Sequence, residues 1–229
     1  MCETVAATGL RFQELEQHEA VKLGCLSELK RRQRRGRLSS KYYLCQAAAG
    51  RGQLEELKAL RADGCPWGEL TCAEAAKDGH LELLQWLRVN GCPWGVGTCA
   101  WAALGGHLEM LQWARANGCP WNENTCEYAA RGGHLEMIQW ARTNGYPWDE
   151  RTCAEAAREG HLEVLQWARA NGCPWNEDTC WWAAVNGHLE VLQWARANGC
   201  PWTMWTRNLA RRLGLDVEAP DKMQTNGAP

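Results

Sequence analysis

One 27-residue pattern recurs along the chain with a constant period, and it constrains the fold more than any other feature. Copies begin at Thr71, Thr98, Thr125, Thr152 and Thr179, and the second reads TCAWAALGGHLEMLQWARANGCPWNEN. A constant short period indicates stacked copies of one supersecondary unit, not separate domains. Each copy is too short to bury a core alone, so neighbouring copies must stabilise one another.

Each copy is predicted to contain two short helices. Cys72, Ala75 and Ala76 lie at i, i+3 and i+4 and form one face of a helix A, which Thr71 or a polar neighbour can cap. Gly79 ends helix A, and HLELLQWLRVN forms helix B, which an Asn-Gly pair stops. The proline of GCPW cannot continue a helix, so this segment is a return loop. The two Trp of each copy are predicted to pack in the core as two ladders between neighbouring copies.

The segment AAREGHLEVLQWARANGCPWN, residues 156–176, resembles the ankyrin repeat, and it looks like the short GCPW-type variant of that repeat. The paired alanines, Gly-His-Leu-Glu, the apolar helix and the closing Gly carry the resemblance, which covers residues 41–214. The copies are shorter than the ankyrin unit by about six residues, which belong to its β-hairpin finger. The resemblance therefore implies an all-α solenoid of stacked helix-turn-helix repeats with shortened fingers.

Three regions are predicted from the same pattern. Residues 1–40 form basic N-terminal capping helices, residues 41–214 form about six repeat units plus a C-terminal cap helix, and residues 215–229 form a disordered tail. The segment from Lys30 to Lys41 carries seven basic residues and no acid. This segment is either a solvated cap helix or the basis of an alternative function, a nuclear or nucleic-acid-associated one.

Composition bears on the compartment. The chain has no run of about 18 apolar residues, and its first residues, MCETVAATG, do not resemble a signal peptide. We therefore expect no membrane association and a location in the cytoplasm or the nucleus. Most of the 13 cysteines recur at two fixed places in the repeat, which favours reduced thiols over a disulfide framework.

Repeated Cys and His residues raise the alternative of a zinc-binding repeat protein. Cys65, Cys72 and His80 give a C-x6-C-x7-H spacing, which lies outside the usual zinc patterns. Tyr146 replaces one such Cys and Gln53 one such His without disturbing the repeat. The histidines are instead predicted to hydrogen-bond backbone groups of the adjoining turn. With no unique nucleophile and no phosphate-binding loop, we predict no enzyme activity, no cofactor and no small-molecule substrate.

The positions that vary between copies are the best candidates for function. They are the third and fourth positions of helix A, predicted to lie off its Cys-Ala-Ala face, and the two positions before the turn Gly. In ankyrin proteins these positions line the concave binding face. The resemblance thus implies a monomeric, non-enzymatic scaffold for an unknown protein partner, with nucleic acid a less favoured one. The candidate binding residues are Glu74, Lys77, Trp101, Leu104, Tyr128, Arg131, Glu155, Arg158, Trp181, Trp182 and Trp205.

Aromatic side chains dominate this candidate set, and two interpretations of them remain open. Aromatic and Arg residues are typical of interface hot spots. Alternatively, the fourth-position aromatics fill space between helices and belong to the core. The shortened fingers, residues 122–124 and 203–205, are the other variable segments.

Overall fold

The computed structural model describes residues 30–31, 33–36 and 42–214, and the chain divides into two compact units, Met1–Pro147 and Trp148–Pro229. The tail predicted for residues 215–229, and most of the capping region predicted for residues 1–40, lie outside the described residues. Within residues 42–214 every regular element is a helix and no strand occurs, so the predicted all-α fold is confirmed.

Unit 1 contains four helix A–helix B pairs among its described residues. They are α1 (Tyr42–Gly50) with α2 (Leu54–Ala62), α3 (Glu69–Lys77) with α4 (Leu81–Val89), α5 (Val96–Leu104) with α6 (Leu108–Ala116), and α7 (Asn124–Arg131) with α8 (Leu135–Thr143). Helices A of neighbouring pairs pack side by side, α1 on α3, α3 on α5 and α5 on α7. Unit 1 is therefore an α-solenoid in which each pair contacts the next.

Unit 2 repeats the same arrangement over a shorter length. Its pairs are α9 (Glu150–Arg158) with α10 (Leu162–Ala170) and α11 (Glu177–Val185) with α12 (Leu189–Ala197), and a single helix A, α13 (Met204–Arg212), follows them. Helix α11 packs against both α9 and α13. The predicted single C-terminal helix is thus present as α13.

Small side chains allow the helices A to approach one another closely. In α5, Cys99, Ala102 and Ala103 are almost completely buried, as the spacing predicted. Helix α6 contributes Met110 and Leu111, which are also buried. Each pair therefore buries a Cys-Ala-Ala face from helix A and a larger aliphatic face from helix B.

Helix A starts one or two residues before the repeat boundary that the sequence suggested. Thr71 is the third residue of α3, it is fully buried, and its Oγ1 accepts a hydrogen bond from Gly68 N at 3.3 Å. Polar neighbours perform the predicted capping elsewhere. The side chains of Asp149, Asn176 and Thr203 accept hydrogen bonds from the first-turn backbone amides of α9, α11 and α13.

The repeated histidines connect neighbouring pairs, and this differs from the prediction. Nε2 of His107 lies 3.0 Å from the carbonyl oxygen of Lys77, and Nε2 of His134 lies 3.0 Å from that of Leu104. Both acceptors are the last residues of a helix A one repeat earlier, not members of the adjoining turn. The ring thus satisfies a helix C-terminal carbonyl that has no partner within its own helix.

Gly106 holds the turn in which this histidine contact forms, and replacing it with Ala is expected to be costly. Its φ is +74°, and a Cβ there would lie 2.6 Å from Cε1 of His134. The left-handed backbone costs a non-Gly residue about 1–2 kcal/mol, and displacing the ring would break the bond to Leu104, worth about 1 kcal/mol. We expect Gly106→Ala to lower the free energy of unfolding by about 2–3 kcal/mol, measured by urea denaturation.

Gly118 supplies a matched control for that substitution. Its φ is +79°, close to that of Gly106, but a Cβ there would meet nothing within 4 Å. Gly118→Ala should therefore show the backbone cost alone, about 1–2 kcal/mol. Equal losses for the two variants would contradict a role for the histidine contact.

The return loops depend on an arginine that the sequence reading did not single out. Arg88 Nη1 donates a hydrogen bond to the carbonyl oxygen of Cys92, and its guanidinium carbon lies 4.1 Å from the ring centroid of Trp94. Trp94 in turn meets Trp113 of the next copy edge to face, with ring centroids 5.7 Å apart. Four such Trp pairs occur between neighbouring copies, whereas Trp121 and Trp140 both contact Tyr146, so the predicted two continuous ladders of Trp are not present among these rings.

These tryptophans are half-buried, so they lie at the edge of the core and not in its centre. One face of the loop Trp is covered by Arg, and cation–π contacts of this kind are favourable. The same Arg-over-Trp arrangement recurs in both units at Arg61 with Trp67, Arg115 with Trp121, Arg169 with Trp175 and Arg196 with Trp202.

Candidate functional site

The variable positions of unit 1 bring two aromatic rings and a cation together. Trp101 of α5 and Tyr128 of α7 have ring centroids 5.6 Å apart and ring planes inclined by 30°. Lys77, the last residue of α3, places its Nζ 5.5 Å from the centroid of the Trp101 ring. We call these three residues the aromatic row of unit 1. They come from three consecutive helices A.

The aromatic row is neither core nor fully exposed. Lys77, Trp101 and Tyr128 are each partly buried. This burial is intermediate between that of a core residue and that of a fully exposed interface residue. Because each ring contacts the next one and Lys77 covers part of Trp101, the side chains are held in place before any partner binds. Solvent still reaches part of each ring.

The backbone beneath the row is also fixed by neighbouring copies. The carbonyl of Lys77 is bonded by His107, and that of Leu104 by His134. Leu104 is half-buried at the end of α5. It occupies the turn position equivalent to that of Lys77, one repeat further along the chain. The histidines therefore fix the turn positions that the sequence singled out.

The other two candidates of unit 1 flank the row. Glu74 lies on α3 at the helix position that Trp101 occupies on α5, and it is half-buried beside Gly50. Arg131 is the last residue of α7 and is half-buried. All six candidates in this unit therefore lie on helices A, at their fourth positions or at their C-terminal ends.

Unit 2 has a similar cluster built around an arginine. Arg158 Nη1 lies 3.3 Å from Oε1 of Glu155, and its guanidinium carbon lies 4.9 Å from the ring centroid of Trp182. Trp181 and Trp182 are both half-buried on α11. Arg158 is thus held between a carboxylate of its own helix and an aromatic ring of the next helix A, just as Lys77 covers Trp101.

Trp205 differs from the other aromatic candidates. It is the second residue of α13, its exposed fraction is 77%, and the neighbouring Met204 is 75% exposed. This pair occupies the position of a shortened finger. The structure therefore places Trp205 away from the helix packing that holds Trp101 and Trp182.

The prediction that third positions of helix A lie off the buried face is wrong for the small residues. Ala73, Ala100 and Ala154 are almost completely buried, because a methyl group at this edge fits between neighbouring helices A. Where a large side chain occupies the third position, as in Glu127 and Trp181, it is half-buried. Only the large third-position residues can contribute to a binding surface.

The residues considered for zinc have other partners. Among the described residues, no group of three or more His, Cys, Asp and Glu side chains is arranged to hold a metal ion. Cys72 hydrogen-bonds to Cys92, and Nε2 of His80 lies 3.3 Å from the carbonyl oxygen of Gly50. Nothing in this geometry supports the zinc alternative.

The described part of the basic segment contacts the repeat region. Lys30 forms an ion pair with Glu56 of α2. This contact is of the kind expected for a cap helix. Separately, none of the helices in the described parts of the chain is long and apolar enough to span a lipid bilayer.

Comparisons with known proteins agree with this geometry. Residues 99–151 match the family model described as ankyrin repeats in many copies. Residues 99–151 therefore carry ankyrin repeats. A crystal structure of the human ASB11 ankyrin repeat domain is similar to this chain with a TM-score of 0.52 and 18% sequence identity, over 67% of this chain and 82% of that one. That similarity concerns the fold alone. No curated protein sequence matches the chain significantly.

Ankyrin repeats generally act as protein-binding modules without enzyme activity. The copies here keep the paired helices of the ankyrin repeat, and each has a short return loop where the β-hairpin finger would stand. In the described residues these loops contain no strand.

Proposed function

We propose that the protein is a non-enzymatic scaffold that binds a partner protein through the variable residues of its helices A and their turns. The observation that carries this proposal is the aromatic row of unit 1, in which Lys77, Trp101 and Tyr128 lie side by side on consecutive repeats. Trp, Tyr and Arg are the residues that most often dominate binding energy at protein interfaces.

Pre-organisation supports this assignment. A side chain that is already ordered loses less conformational entropy when a partner covers it. Trp101 is stacked on Tyr128 and covered on one side by Lys77, while the histidine bonds fix the turn at the end of each helix A. The row therefore presents ring surface that is still open to solvent and needs little reordering.

In unit 2 the same role falls to Arg158 and Trp182, with Glu155 orienting the guanidinium. Glu74, Leu104 and Arg131 extend the surface of unit 1. Trp181 and Trp205 extend that of unit 2. Each repeat contributes a few side chains, so a partner must match several repeats at once to bind tightly.

Replacing both rings of the row tests the proposal. We expect Trp101→Ala combined with Tyr128→Ala to weaken binding of the partner by about tenfold or more, since hot-spot truncations each cost over about 1 kcal/mol. Proteins captured from native cells by the wild-type chain are identified by mass spectrometry, and the affinity of the purified partner is then measured by titration. Helicity and the melting curve should stay close to those of the wild type.

A control pair comes from the same repeat. Glu109 and Gln112 are exposed on helix B, and Glu109→Ala with Gln112→Ala should leave the affinity unchanged. Unchanged binding by the ring variant, together with a collapsed melting curve, would show that the rings belong to the core and would refute the assignment.

The remaining parts of the chain follow from this proposal. We place residues 41–214 in the repeat region, assign residues 1–40 a capping role and regard residues 215–229 as a tail. The contact of Lys30 with Glu56 favours that capping role over nucleic-acid binding by residues 30–41. The protein is proposed to act as a monomer in the cytoplasm or the nucleus.

A further inference from the structure

Four of the five return-loop cysteines point toward the start of helix A in their own copy. Each of these four thiols donates a hydrogen bond to the carbonyl oxygen of the residue just before that helix, at 3.4 to 3.6 Å. The pairs are Cys92 with Gly68, Cys119 with Gly95, Cys173 with Asp149, and Cys200 with Asn176.

This position brings each loop thiol to a second cysteine. The residue four positions after each acceptor is the Cys of helix A, and a helix places residues i and i+4 on the same face. The thiols of Cys72 and Cys92 are in hydrogen-bond contact, and the same holds for the three equivalent pairs. They are Cys99 with Cys119, Cys153 with Cys173, and Cys180 with Cys200.

The surroundings keep one thiol of each pair protonated and slow to react. The hydrogen bond that the Cys72 thiol donates to Cys92, followed by burial, raises the pKa of Cys72 above its usual range. A thiol without thiolate character is a poor nucleophile. The backbone on either side of Cys92 is nevertheless at the surface, since Gly91 and Pro93 are exposed. Cys92 itself is completely buried, so its thiol becomes accessible only when this short loop is displaced.

We propose that these four cysteine pairs are sites of disulfide formation, each linking helix A to the return loop of the same repeat. The oxidant is a low-molecular-weight disulfide such as glutathione disulfide. The loop Cys thiolate attacks one sulfur of the oxidant, forming a mixed disulfide and releasing one glutathione thiolate. The helix A thiolate then attacks the protein sulfur of the mixed disulfide and releases the second. Two protein thiols are oxidised and one glutathione disulfide is reduced to two glutathione molecules.

The geometry suits this bond without rearrangement of the helices. Each loop thiol lies against the carbonyl four residues before the helix A cysteine, so the two cysteine side chains meet at the same end of helix A. Each link closes a segment of 20 residues that contains the whole of helix B, and this restricts the unfolded chain. Oxidation would therefore stabilise every linked repeat, and the resistance of the protein to unfolding would follow the thiol–disulfide balance around it. The inference does not depend on the proposed partner binding.

One copy of the repeat provides an internal control. Cys126 of α7 has Tyr146 at the place of its loop cysteine, and Tyr146 is completely buried. No disulfide within that copy is possible. The proposal therefore requires Cys126 to remain a thiol when the four pairs are oxidised.

The test uses the full chain with Cys2→Ser and Cys25→Ser, because these two cysteines lie outside the described residues. The folded protein is equilibrated with glutathione disulfide, its free thiols are alkylated, and linked peptides are identified by mass spectrometry. We expect links within the four pairs, an alkylated Cys126, unchanged helicity and a melting temperature raised by several degrees. Links between cysteines of different repeats, or no links within these pairs, would overturn the proposal.

Two substitutions distinguish disulfide pairing that is set by the fold from non-specific oxidation. Cys92→Ser should abolish only the first link and leave Cys72 alkylated. Tyr146→Cys should add a fifth link, to Cys126. If Cys72 in the Cys92→Ser protein instead forms a link to another cysteine, the pairing is not set by the fold. If Tyr146→Cys folds but Cys126 stays alkylated, contact between the two positions is insufficient, and the proposal fails.

Discussion

Raising the pH above about 8.5 in reducing buffer is expected to destabilise the folded protein by an amount on the order of 3 kcal/mol over the first pH unit. The cause is a set of buried thiols that resist ionisation. Burial raises the pKa of Cys45 to about 11, and the thiol hydrogen bond together with burial raises the pKa of Cys72, Cys119, Cys153 and Cys180 above the usual range.

The sign follows from proton binding. Above about pH 8.5 an unfolded cysteine loses its proton, whereas the folded protein keeps it, so rising pH favours the unfolded state. The stabilisation is complete below that pH and, for Cys45, is lost as the pH rises through about 11. Each such thiol contributes about 1 kcal/mol over the first unit. Hydrogen bonds from their partner thiols lower the pKa of Cys99 and Cys200, and each of these two offsets about 1 kcal/mol, so the net loss is about 3 kcal/mol.

Urea denaturation at pH 7.5 and 9.5, with a phosphine reductant to exclude disulfides, measures the effect. Cys45→Ala should make the pH dependence shallower by about one third of the total, whatever it does to stability at neutral pH. Equal free energies of unfolding at the two pH values would contradict the thiol environments described here.

The helix pairs were predictable because every copy repeats the same local signals. In every copy the turn Gly precedes helix B, the apolar spacing marks the helix itself, and the Asn-Gly pair marks its end. The five copies therefore predict the same helix boundaries. The exposed state of Trp205 also agreed with its place in a shortened finger. These features depend on residues close together in the chain, which a sequence pattern records directly.

Contacts between residues far apart in the sequence were harder to predict. The bond from His107 to the carbonyl of Lys77 joins residues 30 positions apart, and the thiol bond from Cys92 to Gly68 joins residues 24 positions apart. A repeated residue type shows that a contact exists but not which neighbour supplies it. The 27-residue period does indicate which segments lie close together, because residues at i and i+27 are neighbours in space.

The state of the fourth-position aromatics was undecided for a different reason. Glu74, Trp101 and Tyr128 occupy equivalent positions, yet one is acidic and two are aromatic, so the sequence cannot fix how deeply the site is buried. In the structure the position is half-buried, and a ring there meets the ring of the next repeat. Such a site accommodates both polar and aromatic residues, which is why it can vary without disturbing the fold.

The aliphatic face of helix B holds each copy to its helix A, and Leu111 is a fully buried member of it. Leu111→Ala is expected to lower the free energy of unfolding by about 2–5 kcal/mol, the range for removing a buried leucine side chain and leaving a cavity. Because the stability of a repeat array is the sum of repeat and interface terms, the loss should be felt by the neighbouring repeats as well. Denaturation monitored by circular dichroism gives the total loss.

Leu70→Ala is the matched control, since Leu70 is 60% exposed at the start of α3 and its truncation should change stability by about 0.5 kcal/mol or less. Hydrogen exchange distinguishes the origin of the larger effect. In Leu111→Ala, amides of α6 and of the helices adjacent to it in unit 1 should exchange faster, because a repeat that opens removes the packing of its neighbours. Faster exchange confined to α6 would show that the copies are energetically independent. It would contradict the expectation that a 27-residue unit needs its neighbours for stability.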